Sequence, residues 1–172
     1  MDRTDNALRA AIKALEEVVA PAVDPTDPLA KQQLKLVVDS LRFLRSRLDH
    51  LHDRDRFEVR HYLTLAASIA DDAQDRALND AIEAGEAIYA RADARTPDLK
   101  AAAAQLAAAV RTVVRDAAGT DAQTRRRIEL AVVAGSRERI EADRAWHVPQ
   151  GFDPDPGSVI ALDAALGVQR AQ

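Results

Sequence analysis

The chain has 172 residues, of which 47% are hydrophobic but only 3% aromatic, and its formal net charge is −4. This length can bury an aliphatic core without disulfides or a metal. The sequence has no cysteine, which excludes a disulfide scaffold, thiolate metal sites and a thiol nucleophile. The negative net charge argues against nucleic acid and anionic membranes as partners.

The chain shows no targeting or membrane-spanning pattern. Residues 1–5 are mostly polar and no hydrophobic segment of a signal peptide follows them. No apolar run approaches the roughly 20 residues that a bilayer-spanning helix needs. We therefore expect a soluble, cytoplasmic protein. Arginine far outnumbers lysine and alanine is abundant, as is typical of a GC-rich bacterial genome.

Two amphipathic helices are predicted at the start of the chain. The first covers residues 4–19 and should end at Pro21. The second should begin at Pro28, because Asp27 can cap its free N–H groups. Its apolar residues are spaced alternately by four and three, which predicts the seam of a bundle or coiled coil. The seam residues are Ala30, Leu34, Val37, Leu41, Leu44, Leu48 and Leu51.

A polar stretch at residues 50–56 leaves two interpretations open. Asp55 and Glu58 have the spacing of a capping box, which would start a new helix after a hairpin turn. Alternatively, because neither glycine nor proline interrupts residues 29–84, one helix could continue from residue 28 to 92. That helix would be roughly 95 Å long at 1.5 Å per residue and would need a partner along its whole length. We predict the hairpin.

A third helix is predicted over residues 56–92. Its apolar pattern fades in the acidic segment 71–76 and then resumes. The acidic segment and Gly85 predict a kink or a change of packing partner within this helix.

Two further helices follow. The fourth should start at Thr96, next to a proline, and end at Gly119 in a left-handed conformation. Its many alanines allow a neighbouring backbone to approach closely. Thr120 and Gln123 form a capping box that opens the fifth helix, which should run to Ala145.

The C-terminal segment has a different composition. Three prolines within residues 146–157 exclude a helix there, yet this stretch contains Trp146 and Phe152. Ser158 should then cap a short helix. We predict an all-α fold: a bundle of four to five long amphipathic helices over residues 1–145, and an extended arm with a short helix over residues 146–172, packed on the bundle or on a dimer mate.

Three residues near the polar stretch could bind a metal. Glu58 and His61 have the Glu-x-x-His spacing that places both on one helix face, and a hairpin could bring His50 close to them. This spacing resembles that of the ferritin-like di-iron bundles. A mixed site of nitrogen and oxygen ligands suits zinc, iron or manganese. The chain contains no second Glu-x-x-His motif, although a symmetric dimer could supply another copy. Helix capping and a charged surface explain the same residues, and we favour that interpretation.

Apolar heptad seams recur along the chain, whereas no catalytic motif is found. The sequence therefore favours a protein that acts through protein–protein association, most simply as a homodimer. We expect no cofactor and no enzymatic activity. Phe43, Trp146 and Phe152 are the candidate interface residues. The first alternative is a metal-binding bundle or metal-dependent enzyme that uses the histidine cluster and a divalent metal. The second is a binder of apolar small molecules, which predicts a cavity lined by alanine, leucine and valine.

Overall fold

The structure is a computed structural model that describes residues 3–168 of the chain. The predicted segments 1–145 and 146–172 therefore each extend beyond the described residues, at 1–2 and at 169–172. Within residues 3–168 the secondary structure is helical and contains no strand, which confirms the predicted all-α class. No helix in this range is both long and apolar enough to cross a membrane.

Seven helices organise the described part of the chain. The longest has 26 residues and four others have between 14 and 23. In chain order they are α1 (Arg3–Ala14), α2 (Pro28–Arg47), α3 (Leu51–Ala73), α4 (Arg76–Tyr89), α5 (Thr96–Asp116), α6 (Ala122–His147) and α7 (Leu162–Leu166).

The contacts divide the chain into two compact units. The first unit comprises Met1–Leu51 and His147–Pro156, and the second comprises His52–Trp146 and Gly157–Gln172. In this division the short stretch His147–Pro156, at and after the end of α6, belongs with the N-terminal helices.

In the first unit, α1 packs against α2. Ile12 of α1 and Val38 of α2 are buried. At the edge of this contact Arg45 Nε donates to Asp5 Oδ1 over 2.6 Å, and Arg42 pairs with Glu16. A small apolar contact bordered by ion pairs therefore joins the two helices.

The first helical segment continues beyond the predicted end at Pro21. After α1 the backbone widens into a π turn, Leu15–Val19, and then forms a last α-helical turn, Ala20–Ala22. Proline has no N–H, and inside a regular α-helix its ring would clash with the carbonyl four residues earlier. The π turn lies at that position and accommodates Pro21 within the helix.

The start of α2 agrees with the prediction. Asp27 has an extended backbone, and its Oδ1 accepts a hydrogen bond from the N–H of Ala30 over 3.0 Å. Pro28 is at the first helical position, where its missing N–H costs nothing.

The hairpin predicted at residues 50–56 is wrong. One 3-10 turn, Leu48–His50, follows α2 directly, and α3 begins at Leu51. Arg47, Leu48 and Leu51 all have right-handed helical backbone angles. Asp55 and Glu58 consequently lie inside α3 and cap no helix.

The second unit is built from α3 to α7 around an aliphatic core. Side chains from α3, α4, α5 and α6 contribute to it, and the largest fully buried ones are Ile69, Leu78, Leu99, Leu106, Ile128 and Val59. Helices α4 and α5 make the most extensive contact between helices, as the alanines of α5 predict.

Helices α3 and α6 run antiparallel. Near the C-terminal end of α3, Asp72 pairs with Arg127 near the start of α6 over 2.7 Å. Near the start of α3, Arg54 pairs with Asp143 near the end of α6 over 2.6 Å. This pairing brings the polar first half of α3 alongside the charged second half of α6.

The predicted third helix is interrupted between Ala73 and Arg76. Gln74 has a left-handed φ of 47°, and Asp75 Oδ1 accepts a hydrogen bond from the N–H of Leu78 over 2.7 Å. The acidic segment therefore contains the end of α3 and the N-cap of α4.

Gly85, the other expected kink point, lies within α4 and is buried. A Cβ at this position would lie 2.8 Å from Leu106 Cδ1 and 3.1 Å from Leu63 Cδ2. The glycine allows α4 to approach its neighbours closely and does not bend the helix.

The starts of two predicted helices differ in detail. Thr96 is the first residue of α5, so the N-cap position belongs to Arg95, whose side chain makes no capping hydrogen bond. The oxygen that caps α6 is Asp121 Oδ1, which accepts from the N–H of Thr124 over 3.0 Å. Thr120 instead donates its hydroxyl to Ala117 O over 2.8 Å.

Gly119 and Ser158 also depart from the predictions. Gly119 is the last residue of a 3-10 turn. Its φ is not positive, so it does not adopt the predicted left-handed conformation. The N-cap of α7 is Ala161, and Ser158 accepts a hydrogen bond from Arg144 Nη2 over 3.0 Å. The predicted short helix is present but begins later.

Candidate functional site

The predicted metal ligands Glu58 and His61 lie one turn apart on α3. Glu58 faces two arginines: its Oε1 lies 3.8 Å from Arg54 Nη2 and its Oε2 lies 3.4 Å from Arg139 Nη1. His50 belongs to the first unit, in the 3-10 turn before α3. The structure thus surrounds Glu58 with cations.

The arginines around Glu58 belong to a charge network between α3 and α6. Arg139 Nε lies 3.8 Å from Asp143 Oδ2, and Arg139 also donates to the hydroxyl of Tyr62. Arg54 Nη2 donates to Asp143 over 2.6 Å. Each carboxylate in this network is shared between two cations, so the network joins the helices at several points.

His61 is buried beside this network, with 3% of its surface exposed. Its ring stacks on Phe57 with the centroids 6.0 Å apart and meets the edge of Tyr62 at 5.1 Å. Its Nδ1 lies 3.9 Å from Glu138 Oε2.

The pKa of His61 is lowered from its ordinary value of 6.5. Burial is the largest cause, because it penalises the charged imidazolium, and the charge of Arg139 lowers the pKa further. Glu138 and Glu58 oppose these effects only in part. His61 is therefore a neutral, buried imidazole at neutral pH.

These surroundings give the metal hypothesis no geometric support. Among residues 3–168, no three side chains of histidine, aspartate or glutamate are grouped so that they could hold a metal ion. A divalent cation at Glu58 would also lie beside Arg54 and Arg139, which repel it. The sequence could not reveal Arg139 as a partner of Glu58, since Arg139 is on a different helix.

A groove of about 230 Å³ lies on the α5 side of the same region. Asp55, Glu58 and Tyr62 of α3 line one wall, and Lys100 and alanines of α5 line the other. Acidic, basic and small apolar side chains therefore line this groove together.

Trp146 is buried, with 8% of its surface exposed. The guanidinium carbon of Arg54 lies 4.6 Å from the centre of its ring, a cation–π contact. Trp146 thus packs within its own chain and presents little surface to a partner.

Phe43 and Phe152, the other two candidate interface residues, line one groove of the first unit. Phe43 stacks on His147 with the ring centroids 5.8 Å apart. Phe152 is 84% exposed. The groove has a volume of about 460 Å³, and Leu36 and Pro149 also line it. The structure therefore brings together two of the three predicted interface residues.

The helix next to this groove, α2, exposes a continuous face that carries no charge. We call it the uncharged face of α2, and it consists of Leu29, Gln33, Leu36, Val37, Ser40 and Leu44. Leu29 is 63% exposed and Leu44 is 53% exposed. The six positions follow one another at helical spacing, so their side chains form one stripe.

Apart from Arg47, which is buried at the end of α2, the charged residues of α2 lie on its other side. Arg45 pairs with Asp5 of α1, and Arg42 pairs with Glu16 of the π turn that follows α1. Lys35 Nζ pairs with Asp39 within α2 over 2.5 Å. The helix thus has one charged side, which α1 partly covers, and one exposed side without charge.

The predicted heptad seam of α2 is divided between these two sides. Leu34, Leu41 and Leu48 are half-buried. The alternate seam positions, Val37, Leu44 and Leu51, are exposed. Leu29 and Leu36 complete the exposed stripe and were not part of the predicted seam; their regular spacing with Val37 and Leu44 is the signal that identifies them.

Helices α4 and α5 also border a groove, of about 460 Å³. Alanines from both helices line it together with Asp75, Asp80, Gln105 and Thr112. This polar and acidic margin does not match the alanine, leucine and valine lining that the apolar-ligand alternative predicts.

Comparisons of the chain with protein-family models, with curated proteins and with solved structures give no significant match.

Proposed function

We propose that the protein acts through protein–protein association, and that it forms a homodimer through the uncharged face of α2. The observation that carries this proposal is the row of exposed apolar side chains at Leu29, Leu36, Val37 and Leu44. An exposed apolar stripe of this length is typical of a surface that another protein covers.

The chemistry of this face favours a second copy of the chain as the occupant. Two uncharged faces can pack together without placing like charges opposite each other. A partner with a charged surface would have to bury those charges without counterions, which is costly. The exposed Phe152 lies beside the face and extends the apolar area available to the second copy.

The amount of apolar surface indicates a reversible dimer. Burying the exposed half of one aliphatic side chain is worth about 1 kcal/mol. The four large aliphatic residues of each copy thus supply about 8 kcal/mol in a symmetric pair. Association costs roughly 4–15 kcal/mol in lost freedom of movement. We therefore expect the degree of dimerisation to depend strongly on protein concentration.

Sedimentation velocity over a wide range of concentration tests the proposal. The parent protein should shift from monomer to twice the monomer mass as its concentration rises. Leu44→Glu places a charge in the middle of the face and should shift the dissociation constant upwards by at least about tenfold, since the buried carboxylate would have no partner.

Val133→Glu is the matched control for this experiment. Val133 is 70% exposed on α6, outside the uncharged face, so this variant should dimerise like the parent. A parent protein that stays monomeric at every concentration contradicts the proposal, as does a Leu44→Glu variant that dimerises like the parent.

A further inference from the structure

The C-terminal helix α7 is attached to its unit through an arginine of α3. Arg60 Nη1 donates to the carbonyl of Leu166, the last residue of α7, over 3.3 Å. Leu166 and Ala165 are buried. Gly167 follows with a φ of 68°, and a Cβ at this position would overlap the guanidinium of Arg60. The arginine thus lies directly against the end of α7 and stabilises its free carbonyl.

The same arginine is held from its other side by α6. Arg60 Nη2 donates to Glu138 Oε1 over 3.1 Å. The second oxygen of this carboxylate, Oε2, lies 3.9 Å from His61 Nδ1. Glu138 is therefore shared between the arginine that holds α7 and a buried histidine.

The charges around His61 balance only while the imidazole is neutral. Helices α3 and α6 place three cations and three carboxylates in the network beside it. The cations are Arg54, Arg60 and Arg139, and the carboxylates are Glu58, Glu138 and Asp143. A proton on His61 adds a fourth positive charge in a place with little access to water.

We propose that His61, Glu138 and Arg60 form a proton-sensitive latch that holds α7 on its unit at neutral pH and releases it in acid. When His61 takes up a proton from solvent, its imidazolium attracts Glu138 away from Arg60. Arg60 then carries an unpaired charge and turns towards water. The carbonyl of Leu166 loses its donor, and α7 separates from α3.

A spin label on α7 measures this release directly. The chain contains no cysteine, so Ala164→Cys creates a single attachment site, and Ala164 is exposed. The electron paramagnetic resonance spectrum then reports the mobile fraction of α7 as the pH is lowered. In the parent the label should be largely immobilised at and above pH 6.5, and the mobile fraction should become the major component only once the pH has fallen through the lowered pKa of His61.

His61→Gln, made in the same labelled protein, tests whether the histidine is the sensor. Glutamine stays uncharged, so the label should remain immobilised at the pH values at which the parent releases α7. Circular dichroism of each variant at each pH shows that the helices remain folded.

Gly167→Ala tests the docking contact independently of His61. The methyl group would overlap Arg60 and should make the label mobile at every pH. Gly151→Ala is the control for backbone strain, because Gly151 has a similar φ of 76° but no heavy atom lies within 4 Å of an added Cβ. This control should respond to pH like the parent.

Two results would overturn the latch. One is a label that keeps the same mobility in the folded parent as the pH is lowered from above 6.5 through the lowered pKa of His61, while Gly167→Ala shows that release is detectable. The other is a His61→Gln variant that releases α7 at the same pH as the parent.

Discussion

At the scale of single residues, the partners of a side chain decide its role, and those partners come from distant parts of the sequence. Glu58 and His61 have a spacing that local reasoning connects with helix capping or metal binding. Their actual neighbours, Arg139 and Glu138, are on α6. The sequence could therefore identify the two residues as unusual but could not predict that Arg139 and Glu138 lie beside them.

The lowered pKa of His61 predicts a dependence of stability on pH. In the unfolded chain the histidine binds a proton below about pH 6.5, whereas the folded protein resists protonation until a lower pH. Because the unfolded state binds more protons between these two values, the free energy of unfolding should be highest above pH 6.5 and fall as the pH drops through this window.

Urea denaturation of the parent and of His61→Gln at several pH values measures this effect. Both proteins share the same carboxylates, so the difference between their stabilities isolates His61. The parent should lose more stability than the variant between pH 6.5 and the folded pKa of His61. If the free energies of unfolding of the two proteins changed with pH in parallel, burial of His61 would not be the cause of the loss of stability in acid.

At the scale of helices, sequence signals located the elements better than their ends. Asp27 and Pro28 predicted the start of α2 correctly, because a cap and a proline act within one turn.

The break after Ala73 was predicted only as a kink. Its cause is the left-handed Gln74, an uncommon conformation for a residue other than glycine, asparagine or aspartate. The polar stretch before Glu58 continues as helix because charges on α6 pair with it.

Asp75 should stabilise the start of α4 after this break. Its carboxylate accepts the N–H of Leu78, and loss of such a cap typically costs about 1 kcal/mol. Asp75→Ala should therefore lower the free energy of unfolding by about this amount in urea denaturation. Asp71→Ala, at an exposed position near the end of α3, is the control and should change stability by less than about 0.5 kcal/mol. Equal losses in the two variants would show that the cap is not the cause.

At the scale of the whole molecule, composition and periodicity were sufficient to predict an all-α protein. Alanine, leucine, arginine and glutamate favour helices, and heptad spacing predicts that they pack on one another. The division into two units was not predicted. It depends on the return of residues 147–156 to the N-terminal helices, where Phe43 stacks on His147, and such a long-range contact leaves no periodic signal.

The proposed dimer should respond weakly to salt. Its interface lies on the uncharged face of α2, where no ion pair contributes to binding. The dissociation constant from sedimentation should therefore change little between about 0.01 M and 1 M sodium chloride, although the Debye length falls from about 30 Å to about 3 Å. A dimer that dissociates as salt is added would show that charged residues hold it together.

The close approach of α4 to its neighbours at Gly85 has a consequence for related sequences. Leu106 and Leu63 already occupy the space that a Cβ would need, so these three positions share a single limited volume. A larger residue at position 85 requires a smaller one at 63 or 106. Evolution of this fold should therefore change the three sites together and rarely one at a time.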